Sequence, residues 1–330
     1  MKVLFIGGTG NISIACTKLA LEKGYEVYHL NRGMTENPFG KTVKSIRADV
    51  NDRESIANAI RDLTFDVVAN FVAFIPEDVK RDFEIFQDRI GQYIFISSAS
   101  AYQKPPSHPI ITESTPLKNP FWQYSRDKIS CENYLNELYG ERDFPITIIR
   151  PSLTYQTVIP AAIGSWDDFT IIDRIRKGKK IIVHGDGTSL WTITHSEDFA
   201  KGFVGLVGHQ QVIGHSFHIT SDELLTWNQI YEAIGMAAGD VPDMVHIPSE
   251  FIARFDDFHT GNLLGDKANS VIFDNSKIKA FVPGFEAIIP FKHGIKRTVS
   301  WFEEKSSRMK IIEETNSFMD RVIQSYLDIQ

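Results

Sequence analysis

The feature that most constrains this chain is its beginning. A short apolar run, Lys2 to Ile6, leads into Gly7-Gly8-Thr9-Gly10-Asn11-Ile12-Ser13 and then into the apolar-periodic stretch Ile14 to Leu21. Strand, glycine turn and helix in that order predict the first unit of a parallel α/β sheet. Gly7, Gly10 and Ser13 hold the key positions of the turn, with Ser13 standing where a third glycine would ease helix–strand packing. Glycines there let the backbone approach a pyrophosphate, and the amides and dipole of the following helix hold its charge. The turn is therefore a candidate dinucleotide site; the competing reading is a glycine turn without a ligand.

Strands and helices keep alternating: Tyr25 to Leu30, Val43 to Ala48, a helix from about Arg53 to Leu63, Phe65 to Phe71, a helix from about Val79 to Arg89, and Gln92 to Ile96. This rhythm predicts a Rossmann-type, doubly wound parallel sheet with a smaller mixed α/β lobe. Residues 1–155 are expected to form mainly the dinucleotide-binding domain, with a return segment near 192–208. Residues 156–330 are expected to form mainly the substrate lobe and a C-terminal helix, with 181–184 and 215–220 as strands of that lobe. Ligands of such sheets bind beyond the carboxyl ends of the strands, where Asp49, Asn70 and Ser98 would lie. The second strand runs into Asn31-Arg32-Gly33. An acidic residue at this place takes the ribose 2′-hydroxyl of NAD, whereas an arginine receives the 2′-phosphate of NADP. Asn31 and Arg32 favour NADP, with NAD left open because Asn31 also bonds hydroxyls.

Tyr124 and Lys128 lie four residues apart in Tyr124-Ser125-Arg126-Asp127-Lys128. On a helix they share a face. A free phenol titrates near pH 10, and a lysine cation beside it stabilises phenolate, so the pair is a candidate proton-transfer site. The competing reading is a surface Tyr/Lys pair.

Composition narrows the partners. The formal charge of −7 supplies no basic field for nucleic acid, so a small molecule is the expected partner. The two cysteines, Cys16 and Cys131, lack metal-type spacing, and a reducing compartment fits them. With no apolar run long enough for a signal peptide or a membrane span, a cytoplasmic protein is expected. No metal is expected: Asp167 and Asp168 lack a histidine or third carboxylate at ligand spacing.

Taken in order, Gly7 to Ser13, Val67 to Ala73, Ile96 to Tyr102, Tyr124 to Lys128 and Ile149 to Tyr155 resemble the extended short-chain dehydrogenase/reductase family, which includes nucleotide-sugar epimerases and dehydratases. The resemblance implies that Tyr124 is the acid/base, that Lys128 holds the ribose and lowers the tyrosine pKa, and that Ser98, four residues before Tyr102, orients the substrate oxygen. It places Gly7, Thr9, Gly10, Asn11, Ile12 and Phe71 along the cofactor, Asp49 and Val50 at the adenine, and Pro151 over the nicotinamide. Ser100, Trp166 and Trp191 are the substrate-side candidates. Trp166 offers ring stacking to a sugar, though its segment also reads as a solvated helix start. His195 reads as a structural histidine.

The chain departs from the family pattern in three places. The stretch between Asn70 and Ser98 is short and lacks the usual Asn-Val-x-Gly-Thr segment, so the homodimer that such enzymes allow does not carry over with its interface. The amide and arginine that commonly bind a nucleotide diphosphate are replaced by apolar residues near Leu153 and Trp191. Ala99-Ser100 stands where dehydratases carry Asp-Glu. The expected activity is thus NAD(P)-dependent oxidation, reduction or epimerisation of a hydroxyl or carbonyl on a sugar or nucleotide-sugar-like molecule. The rival is a non-catalytic dinucleotide-sensing or RNA-associated member of the family, against which stand the intact Ser98/Tyr124/Lys128 set and the acidic charge.

Overall fold

The N-terminal apolar run becomes an interior strand because both of its faces are buried: Val3 and Phe5 join Ala15, Cys16, Phe199 and Phe203 on one side, while Leu4 and Ile6 join Ile56, Val79, Phe86 and Leu135 on the other. The computed structural model describes residues 1–34, 37–164 and 166–329. In chain order it runs β1 (Lys2–Ile6), α1 (Ser13–Glu22), β2 (Glu26–Asn31), β3 (Lys44–Arg47), α2 (Arg53–Ala59), β4 (Val67–Asn70), α3 (Pro76–Phe86) and β5 (Gln92–Ile96). It continues through β6 (Ile110–Ile111), α4 (Gln123–Arg142), β7 (Ile146–Pro151), β8 (Leu153–Tyr155), α5 (Thr170–Arg176), β9 (Ile181–His184), β10 (Leu190–Trp191), β11 (Ile193–His195), α6 (Ser196–Leu206) and β12 (Ser216–Ile219). Seven strands form one parallel sheet in the order β3-β2-β1-β4-β5-β7-β12, the Rossmann arrangement, with helices on both faces.

Several elements differ from the sequence expectation. The segment at 192–208 contributes a helix and no strand to the main domain: β11 pairs with β8, and α6 packs on α1 beneath the sheet through Phe199 and Phe203. The strand at 216–219, expected in the lobe, instead forms the sheet edge beside β7. Short apolar runs buried on both faces look alike in sequence wherever they pair. Helix α3 begins at Pro76, earlier than expected, because proline suits a first turn and the Asp78 carboxylate accepts the Phe74 and Ile75 amides at 2.8 and 3.2 Å. The expected C-terminal helix spans Glu313–Leu327, and a separate helix at Phe291–Glu303 precedes it. A second core, built around Trp191, Trp227, Tyr231 and Phe302, fills the lobe. No helix among the described residues is long and apolar enough to cross a membrane.

The glycine turn depends on close approach. A Cβ on Gly8 would fall 2.3 Å from the His29 ring, whose Nε2 lies 2.8 Å from Thr17 Oγ1. Gly8→Ala is expected to lower stability by roughly 1–3 kcal/mol in urea unfolding, and adding His29→Ala should recover part of that loss; no loss from Gly8→Ala would show that the turn has room.

Burial holds the imidazoles of His29 and His184 down to about 4. An unfolded histidine titrates near 6.5. As pH falls below that value the unfolded chain takes up protons that the folded chain refuses. The contribution to stability is therefore complete above about pH 6.5 and is lost as pH falls through about 4, roughly 2–3 kcal/mol per histidine. Melting curves between pH 7 and pH 4 should show this decline, and His184→Gln should flatten it; an unchanged slope in that variant would refute the assignment.

Candidate active site

At the carboxyl ends of β1, β4, β5 and β7 opens a cleft of about 1210 Å³, large enough for a dinucleotide and a second ligand. Of the residues singled out from sequence, Gly7, Gly10, Asn11, Ile12, Phe71, Ser98, Ser100, Tyr124, Lys128, Pro151 and Trp166 line it. Thr9, Asn31, Arg32, Asp49 and Val50 stand outside the lining, along the loops that follow β1, β2 and β3. Trp191 does not reach the cleft: it is 2% exposed in the lobe core, against Trp227 and beneath Lys104. An apolar indole after a Gly-Asp-Gly turn is used here for packing. His195 is a buried cap, its Nδ1 accepting the Glu197 amide at the start of α6.

Helix α4 carries the chemistry-bearing side chains on one face. Tyr124 and Ser98 line the cleft together. Ser98 Oγ lies 2.9 Å from Ser100 Oγ, which accepts from Ser125 Oγ at 2.7 Å. Ser100 is thus set behind Ser98, 2% exposed, and holds it in place. One turn along α4, Lys128 Nζ donates to the Ala73 and Ile96 carbonyls at 2.6 and 2.8 Å. A further turn along, buried Glu132 accepts from Arg150 Nη2 at 2.6 Å and from Arg150 Nε, and it also accepts from Ser97.

The electrostatics differ from the sequence expectation. Burial pushes the Tyr124 phenol up to about 12; the Ser98 side chain works against this rise and the Asp266 carboxylate adds to it. Lys128 does not lower it, because burial takes that ammonium down to about 8 and its donors serve two backbone carbonyls. Tyr124 is therefore a neutral hydrogen-bond donor at neutral pH.

The glycine turn fits an anionic ligand. Gly7 has φ +82°, and a Cβ there would fall 2.5 Å from Val72, so the backbone is bared to the cleft beside the start of α1. Ser13 closes the turn by donating to the Gly7 carbonyl at 2.7 Å and accepting the Gly10 amide at 2.8 Å. The Asn11 side chain is occupied: it donates to the Thr154 carbonyl at 2.9 Å and accepts the Thr157 amide at 3.0 Å. It ties the turn to the segment after β7.

Several lining residues were not anticipated. Asp256, His259, Asn262, Asp266 and Lys267 bring the lobe over the cleft. They sit on or before a π-helix, Thr260–Lys267, a winding often found at functional sites. Cβ atoms on Gly261 and Gly265 would fall 2.3 and 3.0 Å from Trp122, so these glycines dock the π-helix on the residue that opens α4. Two glycines four apart were the available signal. Glu132 had one too, standing eight residues past Tyr124 on the same helical face.

A sequence model of the NAD dependent epimerase/dehydratase family matches residues 3–220. The chain is 24% identical over 265 residues to the chloroplast stem-loop binding protein of 41 kDa b from Arabidopsis thaliana, spanning 76% of this chain and 67% of that protein. It is 19% identical over 254 residues to the 2′-dehydrokanamycin reductase of Streptomyces kanamyceticus, spanning 77% of this chain and 71% of that protein. The structure of UDP-glucose 4-epimerase from Bifidobacterium longum in complex with NAD+ and UDP is similar in fold, with a TM-score of 0.75 at 20% identity over 93% of this chain and all of that one.

Removing the Glu132 carboxylate would leave Arg150 buried and unpaired. Glu132→Ala is expected to destabilise the fold by about 3–5 kcal/mol in urea unfolding, with most of the loss recovered in Glu132→Met/Arg150→Met; a loss below about 1 kcal/mol would show that the pair does not anchor α4.

Proposed function

The chain belongs to the NAD-dependent epimerase/dehydratase family, enzymes of the extended short-chain dehydrogenase/reductase type, and on that premise we propose that it oxidises, reduces or epimerises a hydroxyl or carbonyl of a sugar or nucleotide-sugar-like substrate. The observation that carries this reading is the convergence of Ser98, Tyr124 and Lys128 in one cleft with the glycine turn. A bound nicotinamide would supply hydride exchange at a substrate carbon. The chain does the rest. Gly7, Thr9, Gly10, Asn11 and Ile12 form the cradle for the pyrophosphate, with Asp49 and Val50 on the adenine side and Phe71 and Pro151 toward the nicotinamide. Lys128 has three donors, two already used, and the third serves a ribose hydroxyl. Tyr124 gives a proton to the substrate oxygen, or takes it back, and Ser98 orients that oxygen.

The NADP preference gains support from a second arginine. Arg47 pairs in register with Asn31, and its Nε lies 3.2 Å from where a Cβ of Gly33 would stand. Arg32 follows β2 and Arg47 ends β3, where a 2′-phosphate would sit, and the end of β2 carries Asn31 in place of a carboxylate. The RNA-associated reading, raised by the Arabidopsis relative, has weaker footing, since 35 basic residues face 42 acidic ones.

Titration with NADPH and NADH should give tighter binding of NADPH, weakened about tenfold or more by Arg32→Ala/Arg47→Ala, as loss of a charge-assisted bond predicts. NADH binding as tightly would overturn the NADP assignment, and binding of neither would overturn the enzyme reading. Tyr124→Phe should keep NADPH binding and lower turnover by roughly 10²–10⁴-fold; retained turnover would remove Tyr124 from the chemistry.

A further inference from the structure

The wall of the cleft contributed by the lobe is unlike the glycine-turn wall. His259 lies 93% out of solvent, being 7% exposed, and stacks on Phe318 with ring centroids 4.2 Å apart at 9°. Its Nδ1 is 2.8 and 2.9 Å from the two Asp256 carboxylate oxygens. A carboxylate accepts only, so Nδ1 carries the proton and Nε2 presents a lone pair. That Nε2 is buried and has no partner among the described residues. Burial lowers the imidazole below its ordinary value against the pull of Asp256, which favours the neutral ring. Capping of the short helix Asp257–His259 explains Asp256, which also accepts the His259 amide at 2.7 Å, but it leaves the bare Nε2 unexplained. A buried acceptor without a donor is costly, and its residue lines the cleft.

The charges around it point the same way. Lys267 Nζ, also in the lining, is spent on Asn262 Oδ1 at 2.6 Å and Asp266 Oδ2 at 3.0 Å. Lys128 serves two carbonyls. Arg321 is exposed and lies over the Phe255 and Phe318 rings at 5.8 Å. Against it, Glu313 and Glu314 open the helix Glu313–Leu327 at the cleft, both exposed and without an ion pair among the described residues. Phosphate oxygens would meet Arg321, but they add acceptors and negative charge to a wall that also presents the bare His259 Nε2 and two unpaired carboxylates. A ligand rich in donors and positive charge complements it.

We propose that this wall receives the amine-bearing end of a cationic sugar: His259 Nε2 accepts from an ammonium or hydroxyl, Glu313 and Glu314 face the charge, and Trp166 faces the ring. The inference rests on the reading that the cleft holds a dinucleotide and a sugar-like substrate, and it narrows that substrate to one without a diphosphate at this end. His259 is a binding residue here, oriented by Asp256, with no part in proton transfer.

The test uses the full chain saturated with NADPH and three probes: the β-1,4-linked disaccharide of glucosamine, cellobiose and UDP-glucose. The two disaccharides differ in amine against hydroxyl, so their comparison isolates the charge. The amine-bearing disaccharide is expected to bind about tenfold tighter than cellobiose, a preference that weakens as salt rises. Glu313→Gln/Glu314→Gln should reduce that preference by about fivefold, the scale of two exposed ion pairs. His259→Phe, which keeps the ring stack, should weaken the amine-bearing disaccharide about tenfold through loss of the acceptor. NADPH affinity and melting temperature of each variant report that the fold is intact, and the exposed glutamates test the idea should the His259 variant fail to fold. Equal binding of the two disaccharides, or tightest binding of UDP-glucose, would overturn the inference while leaving the proposed function standing. Failure of the unsubstituted chain to bind either NADPH or NADH would bring down the underlying reading instead.

Discussion

One face of α4 is fastened to the ends of three strands, and the site depends on that fastening. Tyr124, Lys128 and Glu132 stand at successive four-residue steps along the helix. Lys128 is held by carbonyls that follow β4 and end β5, while Glu132 is held by Arg150 at the end of β7 and by Ser97 just past β5. A buried ion pair contributes little net stability against an apolar replacement, but it tolerates few arrangements. Here it fixes the rotation and height of α4 relative to the sheet. Ser98 follows Ser97 and Pro151 follows Arg150, so the same contacts set the position of the hydroxyl opposite Tyr124 and of the proline across the cleft.

That anchoring explains which parts of the molecule were readable in the sequence. The parallel sheet was legible because β1, β4 and β5 bury both faces and so read as continuous apolar runs, β1 followed by glycines and β5 by serines at the cleft. Helix α4 was legible through the four-residue spacing of Tyr124 and Lys128. What the sequence hid were pairings whose partners are distant. The run at 216–219 is as apolar as a lobe strand, and only its register with Ile148 to Pro151 makes it the sheet edge. Trp191 after a glycine turn looked like a cleft residue because an aromatic serves both as packing and as a sugar platform. Its burial against Trp227 depends on a helix that begins thirty-six residues later. The titration of Tyr124 was misjudged for a related reason. The spacing put a lysine near a phenol, but it did not reveal that both groups would leave water together.

The lobe side of the cleft is joined to α4 by shape. Gly261 and Gly265 make a flat strip on the π-helix, and Trp122 fills it. Trp122 in turn lies 5.0 Å from the Tyr124 ring. Asn119 adds polar stitches, donating to the Ser100 carbonyl at 2.8 Å and to the Gly265 carbonyl at 2.6 Å. The serine loop, the start of α4 and the π-helix therefore share one set of contacts. A substituent at either glycine would displace the indole next to the phenol. Placement of a ligand by the lobe is thereby coupled to the geometry of Tyr124.

The burial that isolates Tyr124 also sets the order of events open to it. A phenol held near 12 is protonated at neutral pH, so its first act on a carbonyl oxygen is to donate. Taking a proton from a hydroxyl requires the opposite, a phenolate stabilised by positive charge. The nearest source is Lys128, 5.8 Å from the Tyr124 ring centroid and itself lowered to about 8 by burial. An ammonium near its own titration point still carries its charge at pH 7 in most molecules, yet at that distance it does not offset the burial of the phenol. Its two carbonyl bonds keep it from moving closer. The oxidative direction therefore relies on charge reaching Tyr124 from outside this face of α4, whereas the reductive direction needs only the proton already there.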